Sequence, residues 1–277
     1  MTEPKQTVAA RVAEACAPDG SAARDGATTH IGTAGWSVPR AAAENFPGEG
    51  SHLQRYARVL ECAEINSSFN RSHRFEVSAR WAAQTSPAFR FAVKLPRAIT
   101  HERKLRGARL PLQRFLLPAS GLGARLAVML VQLPPSHVFE VRPLRSFFGL
   151  LADLYNGAVV YEPRHASWFT PAADDWLVRH RIGRVAADPA RWPVAAVPGG
   201  WLGPAGDGAG AVVYCRWHGS PRTYWSSYDD AWLQARASEM QRWPAGADCW
   251  GIFDNTASGA AALNAPAFAA LMKRRQQ

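Results

Sequence analysis

Eight short apolar segments, separated by stretches of helical periodicity, constrain this chain more than any other feature. They are HIGTAGW (30–36), CAEINSSF (62–69), FRFAVKL (89–95), LAVMLVQLP (126–134), AVVYEPRH (158–165), GRVAADP (183–189), AVVYCRWHG (211–219) and CWGIFDN (249–255). Each has strand-like composition and is bounded by Gly, Pro, Ser or Asn. Between them, SHLQRYARVLEC, FEVSARWAAQTS, PLQRFLLPASGLG, VRPLRSFFGLLADLY, PAADDWLVRHR, YDDAWLQARASEMQRW and SGAAALNAPAFAALMKRR place apolar residues three and four apart, as amphipathic helices do. Ser51 reads as an N-cap, Pro171 suits a first helical turn, and Asp174 and Asp175 suit the positive dipole end there. The Pro/Gly-rich gap 190–210 reads as loop.

Strands alternating with helices over about 250 residues are the pattern of an α/β fold of the (β/α)8 TIM-like barrel type. An open doubly wound sheet is the competitor, but no GxGxxG opens a helix after the first strand. Residues 1–29 lack the apolar core of a signal peptide and read as a flexible N-terminal extension, with 30–277 as a single barrel domain. No apolar run approaches the roughly 18 residues of a membrane span, so no membrane partner is expected. Cys16, Cys62, Cys215 and Cys249 form no CxxC pair, which fits reduced thiols in a cytoplasmic protein.

In such a barrel the functional face is the C-terminal end of the strands, and side-chain alternation says which residues share the interior. Strand two offers Glu64 and Asn66, strand three Lys94, and strand four Gln132. Strand five offers Glu162 and Arg164 in step with Val160, and strand six Asp188. Strand seven offers Arg216 and His218 in step with Tyr214, and strand eight Asp254 in step with Ile252. Buried charges need partners, and the positions suggest Glu162 with Arg216 and Asp188 with Arg164. His165 has the opposite parity to Glu162 and is placed to orient a neighbour. His101 follows strand three on a loop that can reach over the mouth. Of the aromatics Trp168, Trp217, Tyr224, Trp225 and Tyr228, one or two are expected at the site.

The formal net charge is +10, and the surplus is concentrated. Between Arg71 and Arg125 there are twelve Lys and Arg against only Glu76 and Glu102. A basic protein of this kind attracts anions, from phosphorylated metabolites to nucleic acid.

GTAGW, AEINSSF, FRFAVKLPRAITH, VQLPPS, YEPRHASWF, YCRWHG followed by YWSSY, and the DN…NA of the C-terminal segment together resemble the YecE-like proteins, the family of domain of unknown function 72. The motifs run in order from about His30 to Met272. The resemblance implies a TIM-like barrel related in architecture to xylose isomerase and endonuclease IV, and supplies no reaction. It also places hallmark positions at Gly35, Trp36, Glu64, Asn66, Lys94, Thr100, His101, Gln132, Glu162, Arg164, His165, Trp168, Arg216, His218, Gly219 and Asn255. Departures from the family pattern are Val38 and Asn70 in place of aromatics, Pro163 between Glu162 and Arg164, Asp254 in a usual Asn–Asn pair, and the small-residue run Ser258–Ala262.

These residue types point to an enzyme, a hydrolase, lyase or isomerase, acting on a small phosphorylated or carboxylated substrate. Lys94, Arg164 and Arg216 would hold the anion. Glu64 and Glu162 are the acid–base candidates and His218 a proton shuttle. Lys94 also has the surroundings of a Schiff-base lysine. Trp36, Asn66, His101, Gln132, His165, Asp188, Tyr224, Tyr228, Asp254 and Asn255 complete the expected binding set. A divalent metal on Glu64, Glu162, Asp188, His218 and Asp254 is the minority alternative, and otherwise no cofactor is expected. A nucleic-acid partner and a metal-dependent phosphoesterase or nuclease-like activity are further alternatives. So is a retaining glycosidase using Glu64 and Glu162 about 5–5.5 Å apart.

Overall fold

A computed structural model describes residues 28–203, 210–244 and 246–276. Its strands are β1 (Thr28–Ala34), β2 (Cys62–Ile65), β3 (Arg90–Lys94), β4 (Leu126–Gln132), β5 (Ala158–Glu162), β6 (Gly183–Arg184), β7 (Ala186–Asp188), β8 (Gly199–Gly200), β9 (Val212–Trp217) and β10 (Asp248–Phe253). The eight apolar segments all form strands, with the sixth split in two. β1 starts at Thr28, two residues before the expected boundary, and the rest of the N-terminal extension lies outside the described residues.

Parallel pairing runs from β10 through β1, β2, β3, β4 and β5 to β6, and from β10 through β9 to β7. The split sixth stave closes the ring. Gly183 and Arg184 pair with β5, whereas Ala186, Ala187 and Asp188 pair with β9. Between them the Val185 N–H donates to the Tyr161 carbonyl at 2.9 Å, so the stave passes from one neighbour to the other without losing the ladder. The gap expected to be loop contains β8, which pairs antiparallel with β6; residues 204–209 lie outside the described residues.

Helices α1 (His52–Tyr56), α2 (Phe75–Ala83), α3 (Arg109–Ala119), α4 (Val141–Leu154), α5 (Pro171–Arg179), α6 (Asp230–Met240) and α7 (Ala261–Gln276) lie in the connections. Ser51 caps α1 in a capping box with Gln54, and Thr170 caps α5 with Pro171 in its first turn. α1 is much shorter than expected. The Tyr56 hydroxyl is drawn between the strands, accepting from the Thr33 N–H at 2.8 Å and donating to the Cys62 carbonyl at 2.8 Å, and the chain turns there toward β2.

The alternation of strand side chains separates two apolar layers. Cys62, Ala92, Val128, Leu130, Val160, Val185, Val212, Tyr214, Trp250 and Ile252 fill the barrel interior. A larger set packs between strands and helices, including Ile65, Val93, Val131, Tyr161, Cys215 and Phe253. Glu64, Lys94, Gln132, Glu162, Arg216 and Asp254 have the interior parity and cap the inner layer at the C-terminal end of their staves. On the sixth stave the interior parity belongs to Val185 and Ala187. Asp188 shares the outer parity of Ala186, which packs in the outer layer.

The seam between the sixth and seventh staves is tight. A Cβ added at Gly183 would lie 2.6 Å from the Val212 carbonyl oxygen. Gly183→Val is expected to cost at least about 2 kcal/mol, read by urea unfolding. A change within about 0.5 kcal/mol, the usual scatter of surface substitutions, would mean the seam is not closed as described.

Candidate functional site

Arg216, on β9, is fully buried at the centre of the mouth. A guanidinium there must be neutralised by neighbours, and three strands supply them. Its Nε and Nη2 donate to Glu64 of β2 at 2.9 and 2.8 Å, its Nη1 donates to Glu162 of β5 at 2.9 Å, and Nη2 donates to Asp254, just past β10, at 2.7 Å. The carboxylates are then tied to one another's neighbours. The Tyr214 hydroxyl donates to Glu64 at 3.0 Å, and Gln132 of β4 donates to Glu162 at 3.0 Å. Arg164 clamps the other Glu162 oxygen through Nε and Nη2 at 3.1 and 2.6 Å. Burial alone would raise the Glu162 carboxyl, but Arg164 and Arg216 outweigh it and hold it well below the usual range. Asp254 is lowered in the same way, against its own burial, by Arg216 and the His218 hydrogen bond.

Lys94, ending β3, is only 6% exposed, and its Nζ sits 4.3 Å from the Phe69 ring centroid. Among the described residues its ammonium makes no hydrogen bond and no ion pair. Burial and then Arg216 push its pKa down, the carboxylates of Glu64, Glu162 and Asp254 resist, and the balance leaves it at about 8.

His218, two residues past Arg216, brings Nδ1 to 3.0 Å from Asp254. Asp254 accepts only, so Nδ1 carries a proton. Nε2 lies 3.5 Å from Arg164 Nη2 and 3.7 Å from Glu162. His101 sits in a single turn after β3, edge-on to Phe69 at 5.0 Å and 2.9 Å from the Thr100 hydroxyl. Its burial, followed by Lys94, Arg97 and Arg164, lowers its pKa and keeps it neutral at pH 7. Tyr224 meets the His218 ring edge-on at 5.3 Å. A cavity of about 220 Å³ opens over Glu162, Arg164 and His218.

Several expected site residues lie elsewhere. Trp36 packs its indole against Trp81 and Phe91, at 4.9 and 5.9 Å. Asp188, with the outer parity, accepts from the Tyr228 hydroxyl at 2.7 Å instead of meeting Arg164, and Tyr228 is stacked on Trp232 at 3.7 Å. Asn255 is buried and donates to the Ser226 carbonyl and to Asn264, both at 2.9 Å, which fastens the loop after β9. His165 caps the turn Ala166–Trp168 by accepting from the Ser167 N–H. Trp168 is core, with its indole N–H on the His137 carbonyl. Asn66 is half-buried and opens the turn Ser67–Phe69 through its backbone. Arg216 and Glu64 do belong to the mouth, but with every facing atom engaged and no exposure they organise it and cannot reach a ligand. The same engagement leaves Glu64 unable to act as a glycosidase carboxylate. Among the described residues no group of three His, Cys, Asp or Glu side chains is placed to hold an ion. Phe69, Phe169 and Trp192 were missed as site residues, because an aromatic in or beside a loop carries no signal that separates a wall from a core.

Replacing Arg216 by Met should leave three carboxylates buried without their common counter-ion, at a cost of about 3–5 kcal/mol, read by urea unfolding or as loss of folded protein. Glu162 titrates in the opposite direction to a buried neutral acid. Its folded pKa is depressed from the ordinary 4.5, so its contribution is complete above that value and is lost as pH falls through the lower folded value. Unfolding free energy should therefore fall below about pH 4.5 in wild type and fall less steeply in Glu162→Gln; equal slopes would contradict the assignment.

Comparison with known proteins agrees with this architecture. A family model described as "Protein of unknown function DUF72" matches residues 30–277. Over 149 residues the chain is 31% identical to the UPF0759 protein YecE of Escherichia coli strain K12, and to that of strain O157:H7. That match covers 53% of this chain and 52% of the relative, so the chain spans about half the length of the curated relatives it matches. A crystal structure of a DUF72 family protein from Thermotoga maritima MSB8 superposes with a TM-score of 0.68 at 22% identity, covering 89% of this chain and 99% of that one. One from Enterococcus faecalis V583 superposes with a TM-score of 0.70 at 20% identity, covering 89% and 96%. With the motifs, the family model and the barrel in agreement, this chain belongs to the DUF72 family.

Proposed function

We propose that the barrel mouth binds a small phosphorylated or carboxylated substrate and carries out proton-transfer chemistry on it. One observation carries this: the Lys94 side chain is buried, yet its ammonium makes no hydrogen bond or ion pair among the described residues and meets only the face of Phe69. A cation needed for the fold alone would have a partner. Arg164 is the second anchor. It spends Nε and Nη2 on Glu162 and His218 and keeps Nη1 without a hydrogen bond among the described residues, with a third of its side chain exposed. Glu162 is neutralised by three donors and does not repel an anion held beside it. His218, oriented through Nδ1 by Asp254, is the group placed to take or return a proton at Nε2. Gln132 and Arg216 act by fixing Glu162, and His101 and Tyr224 stand at the rim.

A second reading has one specific observation behind it. Exposed Arg103, Lys104, Arg109 and Arg142 carry no ion pair among the described residues, and Arg109 and Arg142 face a groove of about 1100 Å³ between α3 and α4. Lys104 and Leu105 are held at positive φ, 47° and 67°, a conformation that persists only where the surroundings enforce it. Such a rim could carry a nucleic-acid backbone. Four phosphate contacts would weaken binding roughly a hundredfold between 50 and 200 mM salt; an oligonucleotide not retained at low salt removes this reading.

Keeping Lys94 charged at a folded pKa of about 8, against 10.5, costs on the order of 3 kcal/mol. Because the folded pKa of this base is depressed, the cost is complete below about pH 8 and is relieved as pH rises toward 10.5. Lys94→Met is therefore expected to raise the thermal midpoint at pH 7 while losing stabilisation by added phosphate. In wild type that stabilisation should fade as pH climbs through about 8. Phosphate stabilisation unchanged in both Lys94→Met and Arg164→Ala would overturn the proposal.

A further inference from the structure

The cavity over the mouth is polar at one end and apolar at the other. Glu162, Arg164 and His218 make the polar end. Phe169 and Trp192 make the opposite wall, with ring centroids 5.2 Å apart and planes tilted by 41°. The rest of the lining is Pro135, Pro163, Pro189 and three alanines, with Arg191 and Thr223 as its other polar side chains; proline offers neither an N–H nor a polar side chain.

This apolar wall is held from behind. Arg184, with a side chain 2% exposed, donates to Asp174 of α5 at 3.0 Å and to the Val194 carbonyl at 2.8 Å. It thereby ties the segment after Trp192 to the helix, and its guanidinium also lies 5.3 Å from the Phe169 ring centroid. Arg191, which also lines the cavity, lies 5.1 Å from the Trp192 ring. The two rings are thus placed by contacts that do not depend on a ligand.

Two aromatic faces and proline rings leave a substrate hydroxyl few partners. Hydroxyls pressed against them would lose water and regain little, which a buried polar group sustains only at a cost. A flat ring loses nothing there and gains aromatic contact. The volume of about 220 Å³ is below the ~300 Å³ at which ordinary small-molecule pockets begin, so the body of the ligand is small. We infer that the substrate is a small ring-bearing acid, with one flat apolar ring against Trp192 and Phe169 and one carboxylate or phosphate directed at Arg164. This rests on the anion site proposed above and narrows it: aryl carboxylates and aryl phosphates are favoured over sugar phosphates.

Calorimetric titration of the full chain with benzoate and phenyl phosphate, beside acetate, inorganic phosphate and glucose 6-phosphate, tests it. At least one ring-bearing acid should bind about tenfold or more tightly than its ringless counterpart, and the comparison of the two pairs identifies the acid group. Trp192→Ala should remove that advantage and leave the ringless anions within about twofold of wild type. Trp192→Leu keeps the bulk, guards against loss of the fold, and should lose the advantage too. Equal affinity with and without the ring, or glucose 6-phosphate binding as tightly as phenyl phosphate, overturns the ring inference and leaves the anion site standing. No binding of any of the five, or binding unaffected by Arg164→Ala, overturns both.

Discussion

A guanidinium with no water around it must find its whole charge balance within reach of its own N–H groups. In this barrel Arg216 does so with four hydrogen bonds to three carboxylates, each brought by a different strand. Well-packed apolar side chains in the same volume would often be as stable or more so. What the charged arrangement adds is position. Asp254, pinned by Arg216, orients His218 through Nδ1, and Glu162, pinned by Arg216 and Gln132, holds out its second oxygen to orient Arg164. The groups that can meet a ligand are therefore each one bond removed from the buried centre.

Charge balance explains why Lys94 differs from its neighbours. Glu64, Glu162 and Asp254 are matched in number by Arg216, Arg164 and Lys94, yet of these three cations only the two arginines hydrogen-bond to them. Lys94 feels the carboxylates through space without touching them, and burial beside Arg216 outweighs their attraction. An anion entering beside it would supply the partner that the fold withholds. Stability given up at a site in this way is the usual sign that a site is used.

Much of this was legible in the chain, for reasons that can be named. Glu64, Lys94, Gln132, Glu162 and Arg216 each follow an apolar residue two positions back, Cys62, Ala92, Leu130, Val160 and Tyr214, so strand alternation alone sends them to one interior. The sixth stave defeats the same rule. Its residues Ala186 and Ala187 are alike in size and polarity, so nothing in the sequence distinguishes the faces, and Asp188 falls outside. Trp36, Tyr228 and Asn255 belong to the family's recurrent motifs, but their partners, Trp81, Trp232 and Asn264, come from helices whose docking no local pattern encodes. The tie between Arg184 and the Trp192 segment is tertiary in the same sense. The missing partner of Lys94 is a negative fact that only the assembled mouth reveals.

The most direct test of this account is the titration of Lys94 itself, followed by the side-chain carbon next to Nζ in NMR spectra of lysine-labelled protein, with Lys94→Met to assign the signal. With only four lysines in the chain, the resonance is tractable. The account predicts a midpoint near 8 in the free protein and a higher one when phosphate is present, because an anion that binds the ammonium must raise its pKa. A midpoint near the ordinary lysine value that phosphate does not move would contradict it.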